Sequence, residues 1–294
     1  MKPAASIIIF SVLSGFGFGL FFWFDLGLHS VELFPSELIL ALGFIFSIAG
    51  LISSSFHLGN PQRALLAFTQ WKSSWLSREA ILAVLTLLIN FLHLILIVAF
   101  NTNQKSIGLL GALLSLLTIY STAMIYTQMK TVPRWNMRLT PVLFILYGLT
   151  GSSVILANFG FSAMMFVILG IFQVNIWRTG DTKYRSQSHI GSATGLSTQR
   201  TLVRMLEPPH TGSNYLLKEM VHIVAQKHIH KLRWISLICL SIVPCLLSLS
   251  HFLYYINTNI LAISIAVISI LGTLLSRWLF FAEAEHVVGF YYDR

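Results

Sequence analysis

Residues 57–79 read HLGNPQRALLAFTQWKSSWLSRE and separate two long apolar segments of the chain. They hold most of the polar residues in the first third of the sequence. Asn60 and Pro61 are typical of a helix start, because Asn can cap a helix and Pro suits the first helical position. The following residues, 61–72, alternate apolar and polar side chains in a short amphipathic pattern. This pattern predicts a helix lying along a membrane surface.

The end of the same segment predicts the start of a longer helix. Ser77 is expected to cap it, with Arg78 and Glu79 in its first turn. The segment then forms a polar pocket at the boundary of hydrocarbon and water, in which His57, Arg63 and Glu79 converge. A solvated loop is the plainer interpretation. The alternative is a site for an amphipathic ligand such as a quinone, with His57 and Glu79 exchanging protons and with aromatic side chains beside the ring (Phe68, Trp71 and Trp75).

The composition is that of an integral membrane protein. The 294 residues are 55% hydrophobic and 10% charged, with a mean hydropathy of +0.76, whereas a soluble domain carries about 25% charged residues. Cys239 and Cys245 lie six residues apart in one apolar segment, with no metal-binding spacing. The chain is therefore expected to hold no iron–sulfur cluster of its own, and any such cluster belongs to a partner.

Eight apolar segments approach or reach the length of about 20 helical residues that spans a membrane. They predict an all-α, polytopic membrane protein with eight transmembrane helices, arranged as two four-helix bundles in a single membrane domain over residues 1–294. The predicted spans are 4–24, 38–57, 80–100, 107–128, 141–157, 161–178, 234–256 and 260–282.

The basic residues are distributed unevenly between the two sides of the membrane. Every Lys and Arg except Lys105 falls on the side of the termini, many of them in the long loop 179–233. The positive-inside rule therefore places both termini, this loop and the polar pocket at the cytoplasmic face. Asp25, Glu32 and Glu37 fall on the other side and are expected to be solvated.

The histidines do not form a level pair for a haem. His93 lies fourteen residues beyond Glu79, or about 21 Å along a helix, while His57 and His251 lie near opposite ends of their spans. We therefore expect no haem, and expect His93 to be hydrogen-bonded inside the bundle, where an ionisable residue is also a functional signal.

Two further clusters have a structural and a functional interpretation. The small residues of 14–19, SGFGFG, predict close helix packing. The end of the last span is expected at the cytoplasmic face, where it would anchor a partner, relay protons or form an ordinary charged helix end (Arg277, Glu283, Glu285 and His286).

The motifs HLGNPQRA at 57–64 and SWLSRE at 74–79 resemble the membrane anchors of DMSO reductase-type complexes, the DmsC family. The resemblance implies an eight-helix anchor without metal. Such an anchor exchanges electrons between membrane quinone, ubiquinone or menaquinone, and an iron–sulfur subunit that serves a molybdopterin catalytic subunit. It implies a quinone site with His57 and Glu79 as its catalytic residues, lined by His57, Leu58, Gly59, Arg63, Trp75, Arg78 and Glu79.

Two other segments resemble the anchors of cytoplasmic membrane-bound sulfite dehydrogenases, the SoeC type. They are LEPPHTGSNYLLKEM at 206–220 and RWLFFAEAEHVVGFYY at 277–292. This resemblance and the charge distribution favour sulfite oxidation coupled to quinone reduction at a bacterial inner membrane, with the iron–sulfur partner on the cytoplasmic loops. They predict contact with membrane lipid but not with nucleic acid.

Three alternatives stay open. The first is a quinol-oxidising anchor of a DMSO or related reductase. The second is a small-anion transporter, although transporters place their polar residues near the midplane and break their helices there, and here Pro244 is the main interruption of a span. The third is a passive anchor without a quinone site.

Overall fold

The computed structural model describes residues 3–31, 33–56, 60–187, 203, 206–207, 223–254 and 256–287, and over these residues the protein is all-helical. Eight of the described helices are long and apolar enough to cross a membrane. This confirms the predicted class of polytopic membrane protein, and each predicted span falls on one helix. The helices are α1 Ala5–Asp25, α2 Ser36–Ser55, α3 Trp75–Phe100, α4 Lys105–Thr127, α5 Leu139–Ser152, α6 Phe159–Gln187, α7 Ile223–Ser250 and α8 Thr258–Ala282.

The turn between α5 and α6 is tight, in agreement with the gap of only three residues between the predicted spans 141–157 and 161–178. A 3-10 turn, Ser153–Leu156, extends α5, and Ala157 then adopts a left-handed backbone conformation with φ of 54°. The Asn158 side chain accepts a hydrogen bond from the backbone N–H of Phe161, at 3.0 Å. That bond satisfies one of the free N–H groups of the first turn of α6.

Helix α1 is the central helix of the bundle. It packs against α2, α4, α5 and α8, and so joins the helices of both halves of the chain. The small-residue segment 14–19 makes this possible. A β-carbon on Gly17 would clash with the backbone of α2 at Gly43 and Ser47, and one on Gly19 would clash with Gly148 of α5. The prediction of close packing along this segment is confirmed.

Helix α7 is irregular at its middle. Its first part, Ile223–Leu237, is kinked at His228, where φ is −119°, and leads into a π-helical turn, Ile238–Ile242. The α-helix resumes at Val243–Ser250. Pro244 lies just after this turn, where its missing N–H and its ring disturb the regular hydrogen-bond ladder. The turn faces α8 at Gly272, where a β-carbon would clash with the backbone of Leu240.

Successive membrane-spanning helices run in opposite directions, so their connections lie at two ends of the bundle. The first, here called the loop end, carries residues 60–74 and 128–138, together with the end of α6 and the end of α8. The second, here called the opposite end, carries the short connections 26–35, 101–104 and 251–257.

Four charged side chains form an ion-pair cluster at the loop end. Arg233 donates four hydrogen bonds of 2.7–2.8 Å to the carboxylates of Asp181 and Glu283. Arg134 donates to Asp181 at 2.6 Å and to Glu283 at 3.4 Å. The cluster joins the 128–138 loop, α6, α7 and the residue that follows α8. Glu283 therefore has a structural role in helix packing.

Candidate functional site

The surface segment that follows α2 is a short 3-10 helix, Pro61–Phe68, and not an α-helix. Its apolar side chains Leu65 and Leu66, and Trp71 in the following turn, are exposed. Exposed apolar side chains on a short amphipathic helix suit the interface between headgroups and hydrocarbon. The segment therefore has the surface character that its sequence predicts.

The start of α3 differs by one turn from the prediction. Helix α3 begins at Trp75, and its N-cap is Ser74, whose side chain accepts a hydrogen bond from the backbone N–H of Ser77 at 3.5 Å. Ser77 therefore lies inside the first turn and is not the cap. Its hydroxyl donates instead to the carbonyl oxygen of Ala67. This bond holds the 3-10 helix against α3.

Glu79 points into the bundle. Its side chain is buried, with 4% of the residue exposed, in the interface of α3 with α4. The hydroxyl of Thr122 on α4 donates a hydrogen bond to Glu79 Oε1. Trp75, one turn earlier on α3, packs edge-on against Tyr120 with the ring centroids 5.9 Å apart. The loop end thus contains a buried carboxyl group, that of Glu79, and an aromatic pair, Trp75 and Tyr120.

Arg78 turns away from Glu79 and towards the surface segment. Its Nε donates to the carbonyl oxygen of Trp71 at 2.9 Å, and its Nη2 donates to that of Lys72 at 2.7 Å. Its guanidinium carbon lies 4.4 Å from the centroid of the Trp75 ring. These contacts show Arg78 clamping the turn that precedes α3.

The remaining predicted site residues are described only in part. His57, Leu58 and Gly59 lie outside the described residues. Arg63 lies in the 3-10 helix, and its side chain lies outside the described part of the structure. Among the predicted residues, Trp75, Arg78 and Glu79 therefore lie on the first two turns of α3, with Arg78 directed away from Glu79.

Two further buried residues were not predicted as part of the site. The first is Thr122, which binds the carboxyl group directly. The second is Arg277 on α8, which was expected at the membrane face but is 2% exposed inside the bundle. Thr122 and Arg277 border one small cavity of about 20 Å³, which is room for a water molecule.

The features of the loop end fit a quinone head group. A quinone carbonyl needs a hydrogen-bond donor, and a carboxyl group in a water-poor environment can supply one and exchange a proton. The Trp75 ring has the Arg78 guanidinium over its face and packs edge-on against Tyr120, and the apolar side chains of Leu65 and Leu66 are exposed. The fit rests on residues of α3 and of the surface segment.

A second polar cluster lies at the opposite end. His93 Nδ1 lies 2.8 Å from Asp25 Oδ1, and His93 Nε2 lies 3.1 Å from Asn103 Oδ1. The prediction that His93 is hydrogen-bonded inside the bundle is confirmed. The prediction that Asp25 is solvated is wrong, because Asp25 ends α1 inside the bundle and is buried. Glu37 is exposed as expected, and Glu32 lies outside the described residues.

Metal ligands are not grouped in the described part of the chain. No set of three or more His, Cys, Asp or Glu side chains there is placed to hold a metal ion. Both ring nitrogens of His93 are engaged by protein partners.

Comparison with known proteins gives a consistent result over the whole chain. The sequence profile of the family "DMSO reductase anchor subunit (DmsC)" matches residues 1–282. A sulfite dehydrogenase subunit of Allochromatium vinosum is 28% identical over 328 aligned positions, which cover 100% of this chain and 99% of that protein. No solved structure gives a significant match.

Proposed function

This chain belongs to the DMSO reductase anchor subunit (DmsC) family, and we propose that it is the quinone-reactive subunit of a sulfite-oxidising complex. Membership makes it the multi-pass membrane anchor of a molybdoenzyme of the DMSO reductase or sulfite dehydrogenase type. The family implies a catalytic and an iron–sulfur partner subunit. Transfer of electrons to quinone, and sulfite as their source, are our proposals for this chain.

Buried Glu79 is the observation that carries the quinone proposal. A carboxyl group in hydrocarbon costs free energy unless it is satisfied, and such residues tend to be functional. Glu79 lies in the second turn of α3, beside a surface helix with apolar exposed side chains, with Thr122 as its hydrogen-bond donor. A bound quinone accepts two electrons and two protons, and in the proposed site Glu79 hands over one of the protons.

The residues around Glu79 complete the proposed site. We assign His57 as the second proton donor, with Leu58 and Gly59 at the edge of the pocket and Arg63 holding the head group. Trp75 flanks the ring. Arg78 contributes indirectly, because its bonds to the carbonyl oxygens of Trp71 and Lys72 fix the turn that leads into α3.

The proposed direction of electron flow is from sulfite to quinone. The full-length similarity to a sulfite dehydrogenase subunit supports it. The distribution of basic residues supports an orientation with both termini and the loop end at the cytoplasmic face of a bacterial inner membrane. In that orientation the iron–sulfur subunit docks on the cytoplasmic loops, close to Glu79, and the molybdopterin subunit docks on it in turn.

The proposal is tested on the complex, which is purified through a tag on this chain from native membranes in mild detergent. We expect two larger partners with stoichiometric iron and molybdenum, and sulfite-dependent reduction of a short-chain quinone. Glu79→Gln is expected to keep assembly and sulfite oxidation with an artificial acceptor, and to lower quinone reduction by about 100-fold or more. Glu37→Gln, at an exposed position of the opposite end, is the matched control.

Each alternative gives a different result in the same experiment. Normal quinone reduction by Glu79→Gln would remove Glu79 from the site and favour a passive anchor. A complex that oxidises quinol with DMSO, and that shows no activity with sulfite, would overturn the proposed direction. A chain that purifies alone and free of metal from membranes where it is well expressed would favour a transporter.

A further inference from the structure

A row of buried polar side chains, linked partly through backbone carbonyl oxygens, runs between the two ends of the bundle. It begins at Glu79, whose partner Thr122 has a second acceptor within reach, the backbone carbonyl oxygen of Thr118, 3.1 Å from the Thr122 hydroxyl oxygen. The hydroxyls of Thr118 and Thr86 then lie 3.0 Å apart across the interface of α4 with α3. Asn90 Nδ2 donates to the carbonyl oxygen of Thr86 at 3.0 Å. The first half of the row thus runs along the interface between α3 and α4.

The second half of the row reaches the surface of the opposite end. Asn90 and the carboxylate of Asp25 both lie against Gly111 of α4. A side chain on Gly111 would clash with that carboxylate. Asp25 contacts His93, and His93 contacts Asn103. Asn103 is exposed, in the connection that follows α3. A row that begins at the quinone site therefore ends at the opposite surface.

Buried hydroxyls and amides in membrane helices also serve as packing contacts, but three features of this row go further. It has an ionisable group at each end, Glu79 at one and the Asp25–His93 pair at the other. Its members are buried along a length of α3 of about 21 Å, or fourteen residues. The Thr86 and Thr118 hydroxyls also bond to the carbonyl oxygens of Leu82 and Leu114. Each has one hydrogen, so one hydroxyl turns from its own backbone to donate to the other, which accepts, as proton transfer requires.

Several buried polar atoms of the row retain unused hydrogen-bonding capacity. Asp25 Oδ2, Asn90 Oδ1 and Ser115 Oγ have no hydrogen-bond partner among the described residues. Ser115 lies on α4, one turn before Thr118. Polar atoms of this kind are the usual anchors of buried water. Water bound there would bridge the steps between Thr86 and Asp25 that the side chains do not span by themselves.

We propose that this row is a proton pathway between the opposite membrane face and the Glu79 site. The inference rests on the proposed function of Glu79. One quinone takes two electrons from the iron–sulfur partner and two protons to become a quinol. The pathway supplies protons from the Asn103 side, through the Asp25–His93 pair and the Thr86–Thr118 hydroxyls, to Glu79. Turnover would then move charge across the membrane.

The sidedness of proton uptake tests the proposal without any variant. The purified complex is reconstituted into sealed vesicles of one orientation, with a pH-sensitive dye inside and sulfite and a short-chain quinone added outside. We expect proton uptake from the Asn103 side, up to two protons per quinone reduced. Uptake entirely from the Glu79 side would overturn the pathway.

Two near-isosteric variants test the route itself. Thr118→Val removes the hydroxyl that faces Thr86, and Asp25→Asn keeps the shape of Asp25 but removes its proton acceptor. Each is expected to slow quinone reduction about tenfold or more and to abolish uptake from the Asn103 side, with quinone affinity unchanged. Thr127→Val is the matched control, because the Thr127 hydroxyl, like those of Thr86 and Thr118, bonds to the carbonyl oxygen four residues before it but lies outside the row.

The two proposals fail in different ways. Loss of activity in Glu79→Gln together with normal rates and normal sidedness in Thr118→Val and Asp25→Asn would overturn the pathway and leave the quinone site in place. Normal quinone reduction in Glu79→Gln would overturn the quinone site. Co-purification of the partner subunits with each variant shows whether the variant has folded.

Discussion

The guanidinium carbon of Arg277 lies 3.2 Å from the ring centroid of Phe144, inside the bundle and within reach of a second ring, that of Tyr147, at 4.6 Å. Nε and Nη1 of Arg277 have no hydrogen-bond partner among the described residues. Aromatic faces therefore stabilise this buried cation where the described carboxylates do not contact it. The desolvation cost of such a cation is high.

Replacement of Arg277 should separate the effect of its charge on stability from the effect of its volume. Arg277→Met keeps an unbranched side chain over Phe144 and removes the desolvated charge, so its stability is expected to equal or exceed that of the wild type. Arg277→Ala opens a cavity and is expected to cost about 3 kcal/mol. Thermal unfolding in detergent measures both. A Met variant as unstable as the Ala variant would show that the guanidinium itself is needed.

The charge cluster at the loop end should be a major source of stability. Arg233 satisfies two carboxylates, and Glu283 is 5% exposed. Arg233→Met removes four hydrogen bonds from the carboxylates of Asp181 and Glu283, which keep Arg134 as a partner. Because Asp181 is also partly exposed, the expected cost is about 1.5–3 kcal/mol. Thermal unfolding should show this loss in Arg233→Met.

Two further variants complete that experiment. Arg138→Met replaces an exposed Arg in the loop before α5 and should change stability by less than about 0.5 kcal/mol. The double variant Arg233→Met with Glu283→Gln should be more stable than the sum of its single changes predicts. Strict additivity would mean that the two side chains do not interact.

The connection between α1 and α2 should carry a pH dependence. The His29 ring stacks on Phe24, with centroids 4.4 Å apart, and its Nε2 lies 3.2 Å from the Ser36 hydroxyl. Burial lowers the pKa of His29 and outweighs the opposing effect of the Phe24 backbone, and the nearby His93 also lowers it. Because the neutral ring is favoured in the fold, the unfolded chain binds the proton first, and stability falls as the pH drops below about 6.5.

The direction of this pH dependence predicts how the stabilities of the wild type and of a His29 variant differ. The difference in melting temperature between the wild type and His29→Gln should be constant above about pH 7.5 and should move in favour of the variant at lower pH. His228→Gln, a substitution of an exposed His at the loop end, should track the wild type. A wild-type curve that gains stability over His29→Gln on acidification would show that His29 is charged in the fold.

The number of helices, their approximate bounds and the location of Glu79 could be predicted from sequence, since they depend on the length of apolar runs and on local signals. The N-cap could not be placed as well. Ser74 and Ser77 are equally good caps by residue type. The choice depends on the bond from Ser77 to the carbonyl oxygen of Ala67, which is a tertiary contact.

The roles of Asp25 and Thr122 could not be predicted either, because they depend on contacts between residues that are far apart in the sequence. The burial of Asp25 depends on a contact with His93, which is 68 residues away. Thr122 carries little local information, because Thr in a membrane helix often bonds to its own backbone. A usable signal exists in the spacing of Thr86, Asn90 and His93 on α3, which recurs at helical intervals and marks one polar stripe.

The bond between Thr122 and Glu79 leads to a prediction about the quinone site itself. Thr122→Val has nearly the same shape, but it removes the donor to Glu79 Oε1 and leaves that carboxyl oxygen unpaired in a buried position. The carboxyl group should then rotate away, and quinone reduction should fall about tenfold with little change in assembly. Thr122→Ser restores the hydroxyl and should recover most of the activity. Equal rates for the Val and Ser variants would show that the hydroxyl of Thr122 does not position Glu79.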